Sequence, residues 1–138
     1  MTTQTTTQLG THVHLKQPYE VAVASTKAAL KVEGFGVLTE IDVKETLKQK
    51  LGVDFQRYVI LGACNPPLAH RALSTDLDVG LLLPCNVVVY ETGTGESEVG
   101  LLNPMIMSTL FADPAFAAIA NDAQQRLDRV AAVLRQAE

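Results

Sequence analysis

Apolar positions along the chain recur with two periods. Residues 11–16 alternate, with Val13 and Leu15 to one side and His12 and His14 to the other, the pattern of a half-buried strand. From Pro18 onward the spacing changes to three and four. Tyr19, Ala22, Val23, Thr26, Ala29, Leu30 and Glu33 trace one face, which predicts a helix with proline in its first position and Gly34 as a left-handed stop. Residues 35–41 alternate again: Phe35, Val37, Thr39 and Ile41 form the face expected to be buried, with Leu38 opposite. Asp42 then caps a second helix, with Glu45 three residues on. Val43, Leu47 and Leu51 line its apolar side, Lys44, Lys48 and Lys50 its wet side, and Gly52 ends it. Residues 58–64 are apolar on both sides, which predicts an interior strand covered on both faces.

The pattern continues with a short helix over Leu68–Leu73. Val87–Glu91 and Glu98–Leu102 then read as a hairpin around a glycine-containing loop, Thr92–Glu96. Asn103–Pro104 opens a helical turn holding Met105, Ile106 and Met107. Asp113–Pro114 starts the longest helix, with Phe116, Ile119, Ala123, Leu127, Val130 and Leu134 down its apolar side. The order strand, helix, strand, helix, several strands, terminal helix predicts an α+β fold. Residues 11–138 read as a single domain, and residues 1–10, rich in Thr and Gln, as a disordered tail.

Composition narrows the possible partners. A chain of 138 residues supports one hydrophobic core without staples. It is 47% apolar with a mean hydropathy of +0.15, yet only 5% aromatic, so the core is aliphatic. Net charge is −4 and the basic residues are scattered, which argues against a nucleic-acid partner. The most apolar window, Val79–Tyr90, is too short to span a bilayer and is interrupted by Pro84 and Asn86; no membrane partner is expected. The first residues lack the apolar segment of a signal peptide. Two cysteines without an export signal read as reduced thiols, and the expected location is cytoplasmic.

The candidate chemistry lies between Val59 and Glu91, at two echoing turns, Cys64-Asn65-Pro66-Pro67 and Pro84-Cys85-Asn86. Asn65 is a favourable N-cap with Pro66 at the first helical position, so Cys64 feels the positive end of a helix, a setting that favours its thiolate. An anion cradle at the same place is disfavoured, because Pro66 and Pro67 remove two backbone donors. His70 and Arg71 are the nearest cationic candidates. His70 lies off the face that looks back to Cys64, so a full catalytic pair is not expected. Cys85 precedes a strand, which carries almost no dipole, and is expected to be the less reactive thiol. The competing account makes both cysteines small buried apolar groups. Cys64, Cys85 and His70 would supply three metal ligands, but no CxxC or HxxxH spacing supports them, and no metal is assigned. His12 and His14 share a face that could hold a metal, although a solvent-facing strand edge explains them more simply. Asn65 and Asn86 either cap backbone or orient a small polar ligand. No Gly-x-Ser-x-Gly elbow is present, and the Gly93-Thr94-Gly95 stretch lacks the lysine and following helix of a phosphate loop.

Four segments carry a resemblance to a known family: 33–43 (EGFGVLTEIDV), 51–55 (LGVDF), 60–69 (ILGACNPPLA) and 82–89 (LLPCNVVV). Together, and in order, they make the chain resemble the domain of unknown function 302 family, also called the TT1751-like domain. The resemblance implies a TBP-like α+β fold, an antiparallel sheet with helices packed on it, and a homodimer. It implies no activity that can be carried over residue by residue. The resulting expectation is a cytoplasmic homodimer that binds a small molecule or partner at Cys64, Asn65, His70, Cys85 and Asn86. A thiol-dependent redox or nucleophilic enzyme and a metal-binding protein are the alternatives, and any cofactor is undetermined.

Overall fold

The computed structural model describes residues 3–136. Six strands form one antiparallel sheet: β1 (Thr3–Thr6), β2 (Gly10–Leu15), β3 (Gly36–Asp42), β4 (Tyr58–Cys64), β5 (Cys85–Gly93) and β6 (Glu96–Leu102), in the spatial order β1-β2-β6-β5-β4-β3. The helices are α1 (Tyr19–Val32), α2 (Val43–Leu51), α3 (Pro66–Thr75), α4 (Met105–Leu110) and α5 (Pro114–Gln136), with a 3-10 helix at Leu77–Leu82. The α+β expectation holds.

Side chains alternate across a strand, and here the alternation separates an inner face from an outer one. Val13, Leu15, Val59, Leu61, Val87, Val89, Val99 and Leu101 point inward and are buried. Leu30 of α1 and Leu127, Val130 and Leu134 of α5 belong to the same core. Both buried hydroxyls are satisfied: Thr26 Oγ1 donates to the Ala22 carbonyl at 2.7 Å, and Ser97 Oγ to the Gln17 carbonyl at 2.9 Å. A second core cluster joins Leu68 and Ala72 of α3, Val79, Met107 of α4, and Phe116, Ile119 and Ala123 of α5.

Four expectations change. Residues 3–6 of the expected tail form β1, whose side chains are all exposed. An all-polar strand shows no alternation; its place comes from backbone pairing with β2 and from the Thr7–Gly10 turn, where Thr7 N–H donates to the Gly10 carbonyl at 2.7 Å. Met1 and Thr2 of that tail lie outside the described residues. With β1 in place, β2 is interior, so His12 and His14 do not mark a sheet edge. In β3 the register shifts between Val37 and Thr39, and this bulge turns Thr39 and Ile41 outward, leaving Ile41 48% exposed. The hairpin is tighter than expected: Gly93 pairs with Glu96, and Gly95 at φ +73° reverses the chain between them.

The buried side of α5 generates a stability prediction. Leu127→Asp places an unpaired carboxylate in the core and should cost about 3–5 kcal/mol. Lys48→Asp, at an exposed site, should stay within about 0.5 kcal/mol. Equal melting temperatures for the two variants would refute the assignment of that face.

Candidate functional site

The site begins where β4 ends and α3 starts. Asn65 is buried, and both ends of its amide are engaged. Its Oδ1 accepts from Leu68 N–H at 3.3 Å, and its Nδ2 donates to the Glu33 carbonyl at 3.2 Å. Arg126 Nη1 donates to the same carbonyl at 3.0 Å, and Arg129 Nε to the Glu33 carboxylate at 2.8 Å. The turn after α1 is thereby clamped against α3 and α5. Gly34 adopts φ +85° there, and a Cβ on it would lie 2.9 Å from Asn65 Nδ2. Asn65 is thus committed to holding the fold together.

Beside this clamp lies a cavity of about 40 Å³ bounded by α3, α4, α5 and the ends of β4 and β5. It sits where the two core clusters meet: Phe35 and Ala63 come from one, Leu68, Ala72, Met107, Ile119 and Ala123 from the other. Cys64 and Cys85 both line it, with free thiols. A second hollow of about 100 Å³ shares Cys85, Pro104 and Met107 with it and extends past Leu82, Leu102 and Ile106. Burial, and then the proximity of Cys64, raise the Cys85 thiol above its ordinary value of 9.0. The start of α3 has no donor to spare: residues 66 and 67 are prolines, Leu68 N–H is held by Asn65 Oδ1, and Ala69 N–H by the Asn65 carbonyl at 2.9 Å. The walls therefore suit an apolar, uncharged guest in contact with sulfur, and suit an anion poorly.

Of the residues singled out in the sequence, the structure brings Cys64, Asn65 and Cys85 together at this cavity. His70 is exposed on α3 and is not part of the wall. Asn86 follows Cys85 along β5 and lies on the outer face, at a separate hollow with His12, Val88 and Gly100. Ile119 and Ala123 were legible as the buried side of α5, and Ala120 joins them in the structure, but nothing in the sequence points them at the cysteines. The outer face also explains the two neighbouring histidines. His14 Nε2 lies 3.1 Å from Glu96 Oε1 and its Nδ1 3.3 Å from Glu98 Oε1, while His12 Nδ1 lies 3.5 Å from Glu98 Oε2. Among the described residues, no group of three His, Cys, Asp or Glu is placed to hold a metal, and no helix is long and apolar enough to cross a membrane.

An antiparallel six-stranded α+β domain with two thiols at one apolar cavity defines a structural class without an assigned chemistry. The sequence profile described as "Domain of unknown function DUF302" matches residues 11–134, and the chain belongs to that family. The fold is similar to the crystal structure of an uncharacterized conserved DUF302 protein from Bacillus stearothermophilus. The TM-score is 0.82 at 35% identity, covering 93% of this chain and 99% of that one. No curated protein matches the chain in sequence.

Two titrations follow from this geometry. Alkylation at Cys85, followed by peptide mass mapping across pH, should have its midpoint above 9.0, since only the thiolate reacts; a midpoint below that value would contradict the burial argument. Hydrogen bonding to Glu96 raises the His14 pKa above 6.5 against the opposing effect of burial, with Glu98 assisting. A folded value above the unfolded one makes this contribution to stability complete below pH 6.5 and lost as pH rises through the folded value. The His14 ring protons should titrate with a midpoint above 6.5 that falls in Glu96→Gln; an unchanged midpoint in the variant would remove Glu96 as the main cause.

Proposed function

We propose that this protein binds a small, mainly apolar molecule in the cleft between α3, α4, α5 and the sheet, with Cys64 and Cys85 at its wall. The observation that carries this reading is the cavity itself, an unfilled seam between two cores onto which both cysteines open. A thiol enzyme is less well supported, because no base lines the cavity and His70 is exposed. At about 40 Å³ the space holds only the short end of an alkyl chain; a larger ligand would extend into the adjoining hollow past Ile106.

We also propose that the chain associates with a second copy of itself. Support comes from its large exposed apolar side chains, among them Leu38, Ile41, Leu51 and Phe55. Light scattering at tens of micromolar should give twice the 14.8 kDa chain mass; a monomeric mass overturns this reading.

The binding reading is tested by thermal shift with short-chain aliphatic alcohols and thiols as probes. A probe at 100-fold its dissociation constant should add about 2.7 kcal/mol of stability. Ala123→Leu, which fills the cavity, should abolish the shift while the variant remains folded. Stabilisation that survives in Ala123→Leu would place the probe elsewhere and sink the assignment.

A further inference from the structure

Three sulfur-bearing side chains line the cavity between the two cores: Cys64, Cys85 and Met107. Strand register brings the cysteines together. Ala63 of β4 pairs with Cys85 at the start of β5, so Cys64 stands one residue beyond that pair. Both thiols are free. Met107 reaches the same wall from α4, is 9% exposed, and lines the adjoining hollow together with Cys85. Among the described residues, no carboxylate or imidazole lines the cavity. Asn65, the one amide there, already engages both ends of its side chain with backbone partners. The donor atoms that side chains offer a guest at this seam are therefore all sulfur.

We propose that these three side chains hold one monovalent copper ion, with the two thiolates as principal ligands and the Met107 thioether as a third. This site goes beyond the apolar-guest reading and does not depend on it. The donor set selects the ion. Thiolate and thioether sulfur are soft donors that favour Cu(I), whereas calcium and magnesium need oxygen and Cu(II) favours nitrogen and oxygen. Zinc also accepts thiolate but closes a structural site with four ligands, and an iron–sulfur cluster takes four cysteines. Here Met107 is the one sulfur that the wall adds to the two thiols. A space of about 40 Å³ has room for a single ion without its hydration shell. Binding replaces the two thiol protons with the ion and releases both to solvent. Two thiolates and Cu(I) carry one net negative charge, which an apolar wall by itself opposes. The positive end of α3 begins at Pro66, two residues after Cys64, beneath the Asn65 cap. Its field offsets that charge without donating a hydrogen bond, so the prolines at 66 and 67 are no obstacle. The hollow past Leu82, itself 36% exposed, gives the ion a route from solvent to Cys85 and Met107.

Anaerobic titration of the full chain with Cu(I), in competition with a chromogenic Cu(I) chelator, tests this. Wild type should take up one equivalent, release two protons near neutral pH, and bind zinc far more weakly. Cys64→Ser and Cys85→Ser, checked for an unchanged circular dichroism spectrum, should each lose more affinity than the ~10–100-fold that removal of an outer-shell partner costs. Met107→Leu preserves volume and should lose a smaller factor, about tenfold, as a weak thioether ligand would. The same variant should keep its thermal shift with aliphatic alcohols, which separates the copper site from the apolar-guest reading. Unchanged copper affinity in any of the three variants, or zinc bound as tightly as copper, overturns the site as proposed. Should the serine variants unfold, X-ray absorption at the copper edge of loaded wild type decides by itself. A first shell of sulfur only supports the site; nitrogen or oxygen in that shell refutes it.

Discussion

Burial of one side-chain parity of the sheet beneath α1 and α5 is the constraint on which the rest of the structure depends. Val13, Leu15, Val59, Leu61, Val87, Val89, Val99 and Leu101 share the inner face, and slipping any one strand by a residue would turn its whole set outward. Register across β2, β6, β5 and β4 is therefore set by the hydrophobic effect acting on several strands at once. The same constraint fixes the other parity. Once Val87 and Val89 face inward, Asn86, Val88 and Tyr90 must face out, and the outer surface is a consequence of the core.

The cavity follows from having two core clusters instead of one. The first is centred on the sheet, the second on α3, α4 and the start of α5, and α5 runs through both. Small residues of α3 and α5 at the junction, Ala72, Ala120 and Ala123, leave room that larger side chains would fill. The clamp of Asn65, Arg126 and Arg129 on Glu33 holds the junction in register from the solvent side. Basic residues that looked merely scattered in the sequence are thus engaged with backbone and carboxylates. Arg57 does the same at the other end of the sheet, bonding Glu20 and Glu91 and lying 5.1 Å from the Tyr19 ring centre.

The sequence by itself determined the elements and most of the inner core. Local rules suffice there: Asp42 caps α2 through Glu45 N–H at 2.9 Å, Asn65 caps α3, Gly34 and Gly52 take up positive φ, and the spacing of α5 names its buried side. Each depends on residues a few positions apart, so a linear reading contains the information. The separation of Cys85 from Asn86, which line different hollows, comes from a boundary. The strand was expected from Val87 but starts at Cys85, and neighbours on a strand face opposite ways. Tertiary structure alone decided the rest. β1 forms because a polar segment finds backbone partners on β2, and Ile41 turns outward because the edge strand β3 bulges between Val37 and Thr39. Ile119 and Ala123 meet Cys85 because α5 crosses the seam between cores. These outcomes rest on contacts between distant segments, whose energies no local pattern encodes.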